Sequence, residues 1–237
     1  MTKAIIKSLA VLGALAISTS AYAAPFKVTG DIKSGQTGHI KSADPKVQNT
    51  HVKAGAFELT AHSGDLDDFI AFCIDIEHNF KSPTNYNIVD GPTSLLPQIS
   101  ASVAQSVQAL FNTSFSTLDL GNANQSAGFQ LALWEVLFEE EGSGWDLGVG
   151  NFTVTGFGGA VSAANDMLAA TWGHLDDGSK GDGYVNYELT WLQADGGGQN
   201  LVTMAVSPIP LPAAGPMLIF GLAGLGYVAR RRKQAEA

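Results

Sequence analysis

The sequence predicts an α+β fold: a single, mainly β ectodomain with a helical insertion, flanked by an N-terminal signal peptide and a C-terminal transmembrane helix. Three observations carry this. From Phe26 to Phe72 apolar and polar residues alternate, with frequent Gly, Ser and Thr, and the alternation returns near the end of the domain. Between these stretches apolar residues recur at helical spacing. At both chain ends an uncharged apolar run sits beside a basic cluster. Early strands, central helices and late strands are the order of an α+β domain.

Taken in order, residues 1–23 read as a secretory signal. Lys3 and Lys7 make a positive start, Ile5 to Ile17 is mostly apolar, and Ala21-Tyr22-Ala23 places small residues at both recognition positions. Cleavage follows Ala23, with Ala24 as the near alternative. Residues 24–206 form the ectodomain, long enough to bury a core of its own. "FKVTGDI", "HVKAGAFELTA" and "DFIAFCIDI" are predicted strands; "GDLDD" (Gly64 to Asp68) and "SPTNYNIVDGPTS" (Ser82 to Ser94) are predicted turn-rich connections.

Three helices follow. "LLPQISASVAQSVQALFN" has Pro97 in a first turn and Ile99, Val103, Val107 and Leu110 on one face. Asn124 to Glu140 is the second helix and Gly159 to Leu175 the third, with "WDLGVGNFTVTGF" between them as a hairpin or short strand. "GYVNYELTWL" and "NLVTMAV" close the domain as strands. The second helix is apolar almost all round, so it belongs in the interior. Its two polar side chains within that run, Gln130 and Glu135, are about 140° apart around the axis and share no wet stripe. A buried amide without partners costs about 1–3 kcal/mol, so Gln130 must have partners.

After the domain, Pro208, Pro210 and Pro212 make residues 207–212 an extended spacer. Residues 213–229 carry no charge and span roughly 25 Å as a helix, slightly under a hydrocarbon core of ~30 Å. Arg230, Arg231, Arg232 and Lys233 in the tail, 230–237, hold that end on the cytoplasmic side and leave the domain outside.

Charge excludes one class of partner. The ectodomain has seven Lys and no Arg against twenty-one Asp and Glu, while the whole chain is −9. Such a domain repels phosphate backbones, so no nucleic acid partner is expected. No cofactor or metal is expected either. His39, His51 and His62 fall on separate strands or loops, His174 lies near the end of the third helix, and "GDLDD" and "DDGSKGDG" lack the spacing of an EF-hand loop. The Gly-rich turns carry neither a nucleophile elbow nor a phosphate loop, and no enzyme activity is expected.

One residue stands out against an exported domain: Cys73 is the sole cysteine, and an unpaired thiol is a liability in an oxidising compartment. Either it is a small buried apolar side chain, or it reacts with something other than a second cysteine.

Two resemblances bear on this. The residues "PLPAAG…GLAGLGYVARRRK" resemble the VPLPA-CTERM class of PEP-CTERM sorting domains, with Ile209 where that class has Val and with the motif at Pro210, Leu211, Pro212 and Ala213. The resemblance covers about the last thirty residues. It implies an exported protein of a Gram-negative cell envelope, held in the inner membrane by a sorting helix until an exosortase-like processing enzyme acts. Signal peptidase is then a further partner, and a link to biofilm and exopolysaccharide follows. "FCIDI" (Phe72 to Ile76) and "FQLALWEV" (Phe129 to Val136) resemble the two signature motifs of thioester domains in bacterial surface adhesins. That implies a Cys73–Gln130 thioester, formed with loss of ammonia and opened by a partner nucleophile, usually an amine. Phe72, Phe129 and Trp134 would shield it from water, whereas Asp75, on the same strand face as Cys73, would oppose the thiolate. The ligand is then a surface nucleophile or a polysaccharide. Two alternatives to covalent attachment stay open: a non-covalent structural protein of the exopolysaccharide layer and a secreted carbohydrate-active enzyme.

Overall fold

The computed structural model describes residues 25–43, 47–62, 68–96, 99–140, 142–176 and 187–206. Four strands come first: β1 (Phe26–Ala43), β2 (Val47–Ala61), β3 (Phe69–Cys73) and β4 (Thr84–Val89). Helices α1 (Ala101–Ser114) and α2 (Ala123–Phe138), strand β5 (Phe152–Thr155) and helix α3 (Ala160–Asp176) follow, and β6 (Tyr187–Ala194) and β7 (Leu201–Val206) complete the domain. The arrangement is α+β, mainly β, as the alternation and spacing predict.

β1 organises the sheet. Its start pairs with β4 (Phe26 opposite Tyr86), its length with β2, and its far half with β5. From β2 the hydrogen-bonded order continues through β3, β7, β6 and β4 back to β1. Six strands therefore form a ring of antiparallel pairs, with β5 added at one edge. Closure of this kind removes exposed strand edges.

The helical layer explains the composition of α2. It packs on β1 and β2 and against α1 and α3, and every residue from Ser126 to Leu137 is buried. A helix with neighbours on all sides needs apolar residues on all sides. Gly128 permits the closest approach: a Cβ there would lie 2.9 Å from the Ala163 Cβ and 3.1 Å from the Ala160 carbonyl oxygen of α3. Asn122 caps α2, its side chain accepting from the Asn124 and Gln125 N–H groups.

Several local expectations are corrected. Ser82 to Ser94 is not only a connection, because Thr84–Val89 is a strand between β1 and β6. Its Asn residues and the flanking Pro and Asp-Gly are turn formers locally, but the partners that make it a strand lie far away in the chain. Strand β3 stops at Cys73 rather than running to Ile76. The Asp75 Oδ1 accepts the N–H groups of Glu77 and His78, closing a turn that ends the ladder. Helix α1 starts at Ala101 with Ser100 as its cap, not in a turn containing Pro97. Of the two forms expected for "WDLGVGNFTVTGF", hairpin or short strand, the short strand is the one present: β5, paired with β1.

Residues 1–24 and 207–237 lie outside the described residues, and with them the expected signal peptide and sorting motif, the apolar run and the Arg cluster. Most of "GDLDD" and "DDGSKGDG" lies outside as well. Among the described residues no helix is long and apolar enough to cross a membrane.

Candidate functional site

Cys73 is the last residue of β3, paired with Leu201 of β7, and its side chain is buried. Gln130 occupies the second turn of α2, where the helix passes behind the end of that strand. The two meet through a reciprocal pair of hydrogen bonds. The Cys73 N–H donates to Gln130 Oε1 at 2.8 Å, and Gln130 Nε2 donates to the Cys73 carbonyl at 2.8 Å. This is how the buried amide is satisfied, and it holds the carboxamide carbon against the residue that carries the sulfur. The contact bridges 57 residues of sequence.

The sulfur has its own environment. The Cys73 thiol donates to the Asp75 carbonyl at 2.8 Å and receives the Asp75 N–H at 3.2 Å. Burial pushes the thiol pKa well above its ordinary value. The Asp75 N–H pulls it down, the Asp75 charge raises it, and the Trp134 indole and the Gln199 amide lower it. At rest, then, Cys73 is a thiol, and a thiolate forms only with help from these donors.

Asp75 is not on a strand face beside Cys73, as expected, but in the turn beyond it. Its carboxylate faces its own turn: Oδ2 meets His78 Nδ1 at 2.8 Å, and Oδ1 takes the two N–H groups already described. What reaches the sulfur directly is the Asp75 backbone. The acidic neighbour thus contributes a donor as well as an unfavourable charge.

The expected apolar surround is present. Phe72 and Phe129 pack at 4.6 Å between ring centroids, and Phe111 and Phe115 extend the cluster. Trp134 is one turn beyond Gln130 on α2 and is 2% exposed. Gln130 is itself buried, 1% exposed.

Two contributors carry no sequence signal. Gln199, in a Gly-rich turn between β6 and β7, donates from Nε2 to the Asp75 carbonyl at 3.0 Å and to the His78 carbonyl at 3.1 Å. Tyr86, in the strand read as a connection, donates its hydroxyl to the Gln199 carbonyl at 2.9 Å. Burial raises the Tyr86 pKa, and Cys73, once ionised, and the Asp75 charge raise it further. Only their partners in space reveal them; nothing in "GGGQN" or "TNYNIV" does.

The arrangement has the parts of an acyl-transfer site: a sulfur nucleophile, a fixed carboxamide, and a backbone N–H on its oxygen that would stabilise an oxyanion. Comparison with known proteins adds little. No family model matches the chain, and no curated protein matches it. Among solved structures it is similar to the N-terminal domain of the Streptococcus pyogenes pilus tip adhesin Cpa, at 13% identity and a TM-score of 0.42. The match covers 74% of this chain and 95% of that one.

Elsewhere the histidines form no larger group. His39 and His51 face each other across β1 and β2 with ring centroids 5.1 Å apart, and His62 Nε2 meets Thr29 Oγ1 at 2.7 Å. Among the described residues no three His, Cys, Asp or Glu side chains stand together in a way that would hold a metal ion.

Proposed function

We propose that this is an exported cell-envelope binding protein whose Cys73 and Gln130 form an internal thioester for covalent attachment to an amine on a partner surface. The reciprocal hydrogen bonds between the Gln130 carboxamide and the Cys73 backbone support the reading, because they hold the carboxamide against the residue that carries the sulfur. In the forming step the sulfur attacks the Gln130 carboxamide carbon, the carbon–nitrogen bond breaks, and ammonia leaves with the thiol proton. In the attachment step an amine replaces the sulfur and Cys73 is regenerated as a thiol. The protein is a binding protein rather than a turnover enzyme, since each site reacts once. Export through the N-terminal signal, retention in the inner membrane and exosortase-type processing near Pro210 to Ala213 belong to the same proposal and rest on the sequence of the two ends.

A second reading takes the hydrogen-bonded pair as a structural clamp in a non-covalent protein of the exopolysaccharide layer. The raised thiol pKa favours it. Intact-mass measurement of the purified ectodomain decides between them. The thioester predicts a loss of about 17 Da, one ammonia, that is absent in Cys73→Ala and in Gln130→Ala. An unchanged mass with an alkylatable Cys73 in the denatured protein refutes it.

A further inference from the structure

Trp134 is the anomaly of the site. Its indole N–H is buried and makes no hydrogen bond, and an unpaired buried donor costs about 1–3 kcal/mol. Residues four apart on a helix share a face, so Trp134 stands over the same side of α2 as Gln130. Gln130 is bonded to the Cys73 backbone, so this buried N–H lies on the side of the helix turned to Cys73, where a donor favours the charged form of the thiol. A neutral thiol is a weak acceptor. A thiolate is an anionic one, and a hydrogen bond to an ionised partner is roughly twice as strong. The donor thus lacks a good partner in the resting state and gains one when charge develops on sulfur. The Asp75 N–H, 3.2 Å from the same atom, is a second donor already in place.

We propose that the Trp134 indole N–H is the donor that stabilises negative charge on Cys73 Sγ while the bond to Gln130 is made and when it is opened. The inference rests on the thioester reading and adds a residue to its chemistry. During formation the thiol proton leaves, and the sulfur, held by Trp134 and the Asp75 N–H, attacks the Gln130 carboxamide carbon. The Cys73 N–H holds the oxygen of the tetrahedral intermediate, and the nitrogen departs as ammonia, carrying the proton. During opening an amine adds to the same carbon and the electron pair of the carbon–sulfur bond returns to sulfur. The indole N–H stabilises that leaving thiolate until it takes up the proton released by the amine. The product is a secondary amide at Gln130 and a thiol at Cys73. The role differs from shielding, which any ring of the same size would perform.

The test replaces only the N–H. Site-specific incorporation of β-(3-benzothienyl)alanine at position 134 keeps the bicyclic shape and exchanges the nitrogen for sulfur; Trp134→Phe is the simpler companion. Wild-type mass is measured first, since a wild-type domain that has not lost ammonia refutes the thioester itself. With the bond present, its opening by methylamine is followed by mass. The benzothienyl variant is expected to open on the order of 100-fold more slowly, as for loss of one preorganised donor at a developing charge. Opening at the wild-type rate overturns the role of Trp134. A second readout needs no thioester: the Cβ chemical shift of isotopically labelled Cys73 is titrated in Gln130→Ala, with and without the benzothienyl replacement. A thiolate that appears at higher pH without the indole N–H supports the role, and equal midpoints overturn it.

Discussion

Helix α2 buries Gln130 and Glu135 little more than one turn apart, and their polar groups have opposite fates. Gln130 uses both polar atoms of its carboxamide on the backbone of one residue, Cys73. Glu135 accepts the Asp146 N–H at 2.8 Å with Oε1, but its Oε2 has no partner, and the residue is fully buried. Burial, together with the charges of Glu139 and Asp146, pushes its pKa up to about 8, against the pull of the Asp146 N–H. The neutral amide thus serves as a complete clamp, whereas the acid is tolerated largely because it stays protonated. The lesson concerns matching: one donor and one acceptor in register on a strand end satisfy an amide, and a single loop N–H does not satisfy a carboxyl group.

The comparison can be broken most severely at Gln130. Gln130→Ala in a Cys73→Ala background, where no covalent bond can form, leaves the N–H and carbonyl of residue 73 unpaired in the interior. A loss of about 3 kcal/mol is expected from two stranded backbone groups, read from denaturant unfolding. A loss under about 1 kcal/mol would mean that the strand end finds other partners.

Beyond the far end of the helix, Glu139 does for the following loop what Glu135 does only in part. Its carboxylate accepts the N–H groups of Glu140, Asn151 and Phe152. Glu139→Ala is expected to cost about 2 kcal/mol, the scale of hydrogen bonds to a charged group. It should speed amide exchange across 142–152 while leaving Cys73 and Gln130 protected. Equal deprotection at both ends would show that the two halves of α2 are not independent.

The pH-dependent effect is the most specific. The folded-state pKa of Glu135 is raised, so the folded protein holds a proton that the unfolded chain releases, and stability from this group falls as pH rises from about 4.5 to about 8. Glu135→Gln keeps the acceptor for Asp146 and removes the titration. Its stability should therefore decline less steeply than wild type over that interval in urea titrations. Parallel slopes would place the Glu135 carboxyl in a more polar setting than its burial implies.

The sequence by itself determined the class of fold, because alternation and helical spacing are local patterns that burial must respect. It also marked α2 as interior and singled out Cys73 and Gln130, since an odd thiol in a chain expected to be exported and a lone amide in an apolar helix are both costly unless explained. Tertiary structure alone decided the rest. That β1 closes a ring through β4 depends on a strand whose residues favour turns when taken alone. That Asp75 offers its backbone to the sulfur follows from a turn ending β3 at Cys73. That Gln199 and Tyr86 belong to the site depends on β6 and β7 returning beside β3. Each is a long-range pairing, and the physical reason they stay hidden is the same: a residue's hydrogen-bond partner is set by what the closed sheet brings within 3 Å, not by its neighbours in the chain.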